Sequence, residues 1–224
     1  MEIWLDSIDT ATIAAAAKLG LLAGITTNPR ILSKTHNIAD TLHKILDLQT
    51  GPVAVQVTAT DTEAMIDEAM SIYAFSSRCI VKIPVNRAGL QAMHRLRQRN
   101  IPLMATAVLF PHQALLASLQ GASYIAPYFS HLDAGKAPDA VMQNIVDVLR
   151  INDSQAKVLA ASVKTLEQFM TSAMMGIAAL TIKTELFQEL IEDQLTVETF
   201  LQGFRSDWEK THGKLSIQQM LHCE

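Results

Sequence analysis

Eight short apolar runs, separated by amphipathic stretches, are the feature that most restricts the fold of this 224-residue chain. The runs are rich in Val, Ile, Ala and Thr, and most lack strict alternation of apolar and polar residues, as is typical of strands covered on both faces. Their starts lie roughly 20 to 33 residues apart, the length of one strand plus one helix. The runs are Ile3–Leu5, Gly24–Thr27, Val53–Val57, Cys79–Val85, Leu103–Leu109, Tyr124–Tyr128, Lys157–Val163 and Ala178–Lys183.

The segments between the runs have the period of amphipathic helices. One stripe at helical spacing consists of Ile38, Leu42, Ile45 and Leu46. Eight strands that alternate with helices predict an α/β fold with a parallel sheet, and eight is the number that closes a (β/α)8 TIM barrel. A doubly wound sheet is the main competing fold, but no glycine-rich turn follows the first run. We predict one domain over residues 1–224, with residues 197–211 as an extra C-terminal helix.

Composition and charge exclude several classes of protein. Hydrophobic residues make up 49% of the chain and charged residues 18%, which argues against intrinsic disorder. The net charge of -4 argues against a protein that binds nucleic acid by neutralising phosphates. The only cysteines, Cys79 and Cys223, are expected to be a core residue and a free thiol. The chain also shows no signal peptide and no membrane-spanning run, so we predict a cytoplasmic protein.

Polar side chains lie at or near the ends of seven of the eight runs. The active site of a barrel of this type lies at the C-terminal ends of its strands, so these side chains are candidates for a common site. Strand ends are often polar, so each of these residues taken alone, Lys82 excepted, fits a structural role better than a functional one. The candidates are Asp6, Asn28, Gln56, Lys82, Thr106, Tyr128 and Ser162.

Lys82 has the most unusual position among these candidates. It lies inside the apolar run Cys79–Val85, where loss of hydration disfavours the ammonium form and lowers the pKa of the amine. A neutral amine in a closed pocket is a nucleophile toward ketones and aldehydes and gives a Schiff base. The alternative is a lysine buried in a salt bridge, for which Asp6 is the obvious partner. The spacing alone does not separate these two interpretations.

Several segments together resemble the transaldolase family. Ile80–Val85 (IVKIPV) is similar to the strand that carries the Schiff-base lysine, and Gly24–Pro29 (GITTNP) is similar to a second signature of the family. The resemblance extends from Met1 to about Trp208, and the short chain resembles the branch with fructose-6-phosphate aldolases and small transaldolases. Further matching segments, in the family's order, are Leu5–Ser7, Ala105–Val108, Ile125–Tyr128 and Val158–Ser162.

The resemblance implies a role for each matching residue. Lys82 would form an imine with the C2 carbonyl of a ketose, and Asp6 would take the proton of the C4 hydroxyl. Asn28 would bind hydroxyls of the dihydroxyacetone portion and hold Lys82 in place. The other implied roles are a catalytic water held by Gln56 and Thr106, and substrate binding by Ser162. The lysine would supply the electron sink, so no metal or organic cofactor is implied.

Two positions bear on which activity of the family the chain has. Gln56 stands where transaldolases usually have Glu, and Tyr128 stands where they usually have Phe. Both residues resemble fructose-6-phosphate aldolase, which would cleave a ketose reversibly into a dihydroxyacetone unit and an aldehyde such as glyceraldehyde 3-phosphate. The alternative is a transaldolase that passes the dihydroxyacetone unit to an aldose phosphate. Tyr128 is also compatible with a core aromatic residue whose hydroxyl is satisfied.

Phosphate recognition departs from the family pattern. The family usually has an Arg as phosphate clamp in the segment that here reads Pro127–Asp133, but this chain has His131. A histidine does not make the bidentate contact of an arginine and is mostly neutral at pH 7. Lys164 is a basic residue typical of the family near the clamp, and Arg30 and Lys183 are additional basic residues. Either these two also bind substrate or they are ordinary solvated surface.

The resemblance also implies the partners of the protein. Its ligand would be a sugar or sugar phosphate, and nucleic acid and membrane are not expected as partners. The helix over residues 197–211 resembles the family's last helix, which packs on a neighbouring subunit, so we expect a homo-oligomer, a pentamer or decamer. A barrel that has lost catalysis and binds a sugar or a protein is the alternative from another class.

Overall fold

The computed structural model describes residues 1–132 and 137–221. Each of the eight apolar runs predicted as a strand is a strand, with ends that differ from the prediction by at most two residues. The strands are β1 (Glu2–Asp6), β2 (Leu22–Thr26), β3 (Val53–Gln56), β4 (Cys79–Pro84), β5 (Leu103–Val108), β6 (Tyr124–Pro127), β7 (Lys157–Val163) and β8 (Ala179–Ile182).

Helices follow every strand, and β6 is followed first by a 3₁₀ turn over Phe129–His131. The C-terminal helix predicted over residues 197–211 is slightly longer and is α10. The helices are α1 (Thr10–Lys18), α2 (Pro29–Leu32), α3 (Ile38–Leu48), α4 (Thr62–Phe75), α5 (Arg87–Arg97), α6 (Pro111–Leu119), α7 (Pro138–Ile151), α8 (Leu166–Met174), α9 (Thr184–Ile191), α10 (Leu195–His212) and α11 (Ile217–Leu221).

The eight strands form a closed parallel barrel in chain order. Each strand pairs with the next, and β8 pairs with β1, where Trp4 lies opposite Thr181. The predicted (β/α)8 TIM barrel is therefore confirmed, and the doubly wound sheet is wrong. No helix in residues 1–132 and 137–221 is long and apolar enough to cross a membrane.

Local sequence explains where several helices begin and end. Short polar side chains accept hydrogen bonds from the first turn, as Asn28 does for α2 and Thr165 for α8. Gly121 and Gly176 follow α6 and α8 with φ of 83° and 72°, a left-handed conformation that glycine adopts without strain. These signals fix the loops at both ends of the barrel.

The interior of the barrel is filled by side chains that alternate along the strands. Because successive residues of a strand face opposite sides, every second residue faces the interior. Trp4 is fully buried there and packs over Gly24, where a Cβ atom would lie 2.7 Å from the indole ring. The core cluster consists of Trp4, Ala54, Ile80, Met104, Ala126, Leu159, Ala161 and Ala179. The barrel is thus a packed core and not a pore.

A polar cluster closes the N-terminal end of the barrel below Trp4. One oxygen of Glu2 accepts hydrogen bonds from the indole of Trp4 at 3.0 Å and the phenol of Tyr124 at 2.9 Å, and the other oxygen pairs with Lys157. Burial alone would raise the pKa of Glu2, but these three donors together lower it. Burial and the neighbouring Glu2 raise the pKa of Tyr124. Four side chains from β1, β6 and β7 thus seal this end.

By its internal contacts the chain divides into two compact units, Met1–Phe187 and Gln188–Glu224. The first unit contains the whole barrel. In the second, the indole of Trp208 donates to the carbonyl of Leu215 at 2.7 Å. The single domain over residues 1–224 stays a prediction.

The structure also tests the predictions for the two cysteines in part. Cys79 is fully buried at the start of β4, as predicted for a core residue. Cys223, and Asp133 of the phosphate-binding segment, lie outside the described residues.

Candidate active site

Because every second strand residue faces the interior, polar side chains come together above the packed core, at the C-terminal ends of the strands. The strand registers place two pairs of these residues side by side: Asp6 pairs with Thr26, and Gln56 pairs with Lys82. The polar layer consists of Asp6, Thr26, Gln56, Lys82, Thr106, Thr181 and, directly after β6, Tyr128. Five of the residues predicted from the sequence therefore share one layer of one barrel.

Lys82 is a buried amine at the centre of β4. Only 4% of its surface is exposed, and its Nζ donates a hydrogen bond of 2.9 Å to the backbone carbonyl of Thr27. Burial lowers the pKa of Lys82, and the negative charge of Asp6 opposes that shift only in part. No ion pair between Lys82 and a carboxylate occurs among the described residues. Of the two open interpretations, the buried salt bridge is therefore not observed.

Asp6 is held by a chain of buried hydroxyl groups. Thr26 Oγ1 donates to Asp6 Oδ1 at 2.8 Å and lies 2.7 Å from Thr181 Oγ1. Since a hydroxyl has one proton and Thr26 gives its proton to the carboxylate, Thr181 is the donor to Thr26. The second oxygen, Oδ2, has no hydrogen bond to another described residue. Asp6 is thus oriented through one oxygen while the other is available to a ligand.

Gln56 and the pair of Thr106 and Tyr128 offer further polar atoms. Oε1 of Gln56 is buried and has no hydrogen-bond partner in the described part of the chain. A buried acceptor without a partner costs free energy unless a water or a ligand supplies a donor. Thr106 Oγ1 lies 3.0 Å from the phenol oxygen of Tyr128. The hydroxyl of Tyr128 therefore has a hydrogen-bond partner, and that partner is another candidate residue.

Asn28, which follows β2, and Ser162, near the end of β7, lie at the same end of the barrel. Asn28 Oδ1 accepts a hydrogen bond of 3.0 Å from the backbone of Ile31 and caps α2. The contact to Lys82 that the resemblance assigned to Asn28 is made instead by the Thr27 carbonyl. The amide nitrogen of Asn28 is left to bind a ligand. Ser162 has a left-handed backbone with φ of 57°, at an irregularity near the end of β7.

The four basic candidates are exposed and lie shortly after the ends of strands. His131 ends the 3₁₀ turn, and its ring lies edge-on to that of Tyr128 with 6.1 Å between centroids. Arg30, Lys164 and Lys183 follow β2, β7 and β8 and are exposed. None of the four takes part in an ion pair between described residues. Their positive charges are therefore not neutralised by carboxylates of the described residues.

Sequence reasoning missed Thr26, Thr181 and the Thr27 carbonyl. Both side chains lie inside strands, where threonine is a common β-branched residue. The signal that would identify them is the inward alternation counted from Asp6 and Lys82. With Thr181, the eighth strand also contributes a polar side chain to the layer. Among residues 1–132 and 137–221, no three His, Cys, Asp or Glu side chains form a group that could hold a metal ion.

Comparison with known proteins places this site in a family. A family model described as Transaldolase/Fructose-6-phosphate aldolase matches residues 3–221. A probable transaldolase of Thermoplasma volcanium is 34% identical over 215 residues, which is 94% of this chain and 96% of the relative. A probable transaldolase of Anaeromyxobacter sp. (strain Fw109-5) is 36% identical over 214 residues, or 94% and 98% of the two chains.

Solved structures agree on the fold. Orotidine 5'-monophosphate decarboxylase from Metallosphaera sedula superimposes with a TM-score of 0.61 at 11% identity, over 93% of this chain and 99% of that chain. This likeness shows the barrel and nothing about the chemistry. The family model and the relatives cover nearly the whole chain, including every residue of the polar layer. The chain therefore belongs to the transaldolase/fructose-6-phosphate aldolase family.

Proposed function

We propose that this protein is a Schiff-base aldolase that reversibly cleaves fructose 6-phosphate or a related ketose. The products would be a dihydroxyacetone unit and an aldehyde such as glyceraldehyde 3-phosphate. The observation that carries the proposal is the buried amine of Lys82, whose pKa is lowered by burial beside Asp6. A lysine with a lowered pKa is more often unprotonated, and the neutral amine attacks carbonyl carbon.

The first half of the reaction uses Lys82 and Asp6. Nζ of Lys82 adds to the C2 carbonyl of the ketose, and loss of water gives an imine. The free oxygen of Asp6 takes the proton of the C4 hydroxyl as the C3–C4 bond breaks, and the bonding electrons move into the imine to give an enamine. The aldehyde then leaves. The lysine itself supplies the electron sink, so the proposed reaction needs no metal or organic cofactor.

The second half protonates the enamine and releases it. A water bound by the orphaned oxygen of Gln56 and by the Thr106–Tyr128 pair would deliver a proton to C3 and take in exchange the proton held by Asp6, which restores the carboxylate. Hydrolysis of the resulting imine returns Lys82 and frees dihydroxyacetone. Asn28 and Ser162 would bind the hydroxyls of the donor portion.

The proposal is tested by incubating the protein with fructose 6-phosphate, with and without erythrose 4-phosphate. Release of glyceraldehyde 3-phosphate in the absence of the acceptor supports an aldolase. Strict dependence on erythrose 4-phosphate refutes it in favour of a transaldolase, the activity named for the curated relatives. Borohydride reduction in the presence of dihydroxyacetone should leave an adduct on Lys82. If the folded protein forms no adduct with dihydroxyacetone or with fructose 6-phosphate, the Schiff-base proposal fails. The alternative of a barrel that binds a ligand without catalysis would then be favoured.

The phenol of Tyr128 should separate the two activities. Replacing Tyr128 with phenylalanine removes the hydroxyl that contacts Thr106 but keeps the ring, so protonation of the enamine should slow while transfer to an acceptor continues. We expect the acceptor-independent release of dihydroxyacetone to fall by about tenfold or more, because general acid–base help typically contributes 10²–10⁴-fold. The measurement is the ratio of transfer to release, with Tyr73→Phe on α4 as the matched control. An unchanged ratio would show that Tyr128 takes no part in protonation.

Phosphate groups on the substrate would be bound at the mouth of the barrel. His131, Lys164, Arg30 and Lys183 are the basic residues there that we propose for this role. Because these side chains are exposed and unpaired among the described residues, each contact with phosphate would be screened by solvent. The proposed activity therefore includes ketoses and aldehydes with or without phosphate.

The C-terminal helix α10 supports the proposed homo-oligomer, a pentamer or decamer. Val197, Phe200, Leu201 and Phe204 follow one another at helical spacing, and each is more than half exposed. Such an apolar stripe is typical of a surface that packs against another subunit. Phe204→Glu should give smaller assemblies in size-exclusion chromatography with light scattering. Gln202→Glu adds the same charge on another face of α10 and should not change the assembly; equal assembly sizes for both variants would contradict the proposal.

A further inference from the structure

The strands on either side of β6 end in the same local structure. The pairing of β5 with β6 shifts register between Ala105 and Val108, and that of β7 with β8 shifts between Ala160 and Val163. Within each shift one residue other than glycine is left-handed, Ala107 with φ of 56° and Ser162 with φ of 57°. This conformation is strained for a residue with a side chain, so it persists only where the surroundings hold it.

We call each register shift with its left-handed residue a bulge. A glutamine from the next helix binds the backbone just after each bulge in the same way. Gln113 and Gln168 each lie six residues after the left-handed residue. Oε1 of Gln113 accepts hydrogen bonds from the backbone amides of Leu109 at 2.8 Å and Phe110 at 3.1 Å. Oε1 of Gln168 accepts one from the backbone amide of Lys164 at 2.8 Å. The same side-chain atom thus closes both loops.

Gln113 reaches further, to the backbone that carries Thr106 and Tyr128. Its Nε2 donates to the carbonyl of Val85 at 3.0 Å, and the amide of Val85 donates to the carbonyl of Thr106, also at 3.0 Å. The amide of Tyr128 donates to the carbonyl of Val108 at 3.2 Å, on the other side of Ala107. Gln113 therefore joins the ends of β4 and β5 around the Thr106–Tyr128 pair.

Gln168 reaches toward the loop after β6. Ser130 Oγ donates to the backbone carbonyl of Ser162 at 2.7 Å and lies 3.2 Å from Oε1 of Gln168. Ser130 belongs to the 3₁₀ turn directly after Tyr128, and Tyr128 also bridges to Ala161. The backbone carbonyl of Ser162 thus accepts a hydrogen bond from the loop after β6. Gln168 and Ser130 together determine how Ser162 is presented.

We propose that Gln113 and Gln168 are positioning residues. Each holds the bulged end of one strand, β5 or β7, and thereby positions a different part of the site. Gln113 positions the Thr106–Tyr128 pair for proton transfer. Gln168 positions Ser162 for binding of the donor portion. The inference rests on the proposed aldolase function, because it assigns consequences to the roles of Tyr128 and Ser162. Neither glutamine touches the reacting atoms.

Replacing the two glutamines with methionine, which has similar length but no hydrogen-bonding amide, should change different kinetic constants. Gln113→Met should lower kcat for acceptor-independent cleavage about tenfold with KM within about twofold, since misplacement of catalytic groups by about 1 Å costs up to 10²-fold. Gln168→Met should raise KM for fructose 6-phosphate about fivefold with kcat nearly unchanged. Gln168→Glu keeps the acceptor oxygen and should restore KM.

A double-mutant cycle tests whether Gln113 acts through Tyr128. In a Tyr128→Phe background, Gln113→Met should have less than a twofold further effect on kcat, whereas independent contributions would multiply. Gln91→Met is the matched control, because it removes a hydrogen bond to Thr62 on the outer helices and should leave kcat and KM unchanged. If Gln113→Met is poorly folded, Gln113→Glu keeps the contacts to Leu109 and Phe110, loses only the donor to Val85, and should still lower kcat.

The outcomes distinguish this inference from the proposed function. If the parent protein forms no borohydride adduct and cleaves no ketose, the aldolase proposal fails. If the parent cleaves fructose 6-phosphate but folded Gln113 and Gln168 variants keep its kcat and KM, the positioning roles are refuted. Multiplicative effects in the double-mutant cycle would also overturn the role of Gln113.

Discussion

Replacing Lys82 with methionine should abolish both ketose cleavage and borohydride trapping. Without the amine no imine forms, so the C3–C4 bond has no electron sink. Enzymes accelerate reactions by at least about 10⁶-fold, and we expect the loss to be of that order, limited by the detection of background cleavage. The measurement is product release from fructose 6-phosphate together with mass spectrometry of the reduced protein.

A matched variant separates this effect from general damage. Lys44→Met removes an exposed lysine of α3 and should retain full activity and trapping. Residual cleavage above one-thousandth of the parent rate in Lys82→Met, or an adduct on another lysine, would contradict the assignment of Lys82.

The same substitution should also change the pH dependence of stability. The pKa of Lys82 is lowered in the folded protein, whereas the unfolded chain has the ordinary value of about 10.4. Between these two values the unfolded chain binds a proton that the folded chain does not, so the free energy of unfolding of the parent rises with pH. Lys82→Met lacks this contribution. Urea unfolding should show that the stability of the variant relative to the parent is greatest at neutral pH and shrinks as the pH approaches 10.4.

Replacing Asp6 with asparagine should slow cleavage by about 10²–10⁴-fold, the range typical of general acid–base groups. Asparagine still accepts the hydrogen bond from Thr26 but does not take up the proton of the C4 hydroxyl. Lys82 remains, so reduction with borohydride should still trap dihydroxyacetone. The negative charge of Asp6 favours the protonated amine, and its loss should therefore move the acid limb of the pH–rate profile to lower pH.

The control for Asp6 is an aspartate outside the polar layer. Asp47→Asn changes an exposed residue of α3 and should leave the rate and the pH profile unchanged. Cleavage by Asp6→Asn within about threefold of the parent rate would assign the proton transfer to another group.

The barrel could be predicted from sequence because its determinants are local and repeated. Each strand is a short apolar run, and each helix stripe lies at helical spacing, so the eightfold alternation does not depend on any distant contact. Lys82 was identified for the same reason, since a charged residue inside an apolar run is visible without a structure. The ends of β2 and β8 were placed less well, because strand ends depend on pairing with neighbours.

The hydrogen bonds within the site could not be predicted, because they join residues far apart in the chain. Thr26 and Thr181 are 155 residues apart in the chain but their hydroxyl oxygens lie 2.7 Å apart, and nothing in either local sequence distinguishes them from other strand threonines. The contact of Lys82 with the Thr27 carbonyl is made to a backbone atom, which no pattern of side chains reveals. Gln113 and Gln168 repeat the same spacing, but that spacing has meaning only once the bulges are known.

The sealed end of the barrel has a consequence for the order of events in catalysis. Among the described residues, the fully buried Trp4 and its core neighbours fill the barrel below the polar layer, so we expect substrate and both products to use the C-terminal end. Under the proposed mechanism the dihydroxyacetone unit stays tethered to the inner wall while the aldehyde departs outward. The aldehyde product must therefore leave the barrel before a second aldehyde or a hydrolytic water enters. Under the proposed mechanism a single opening therefore predicts ordered release, with the aldehyde leaving before dihydroxyacetone.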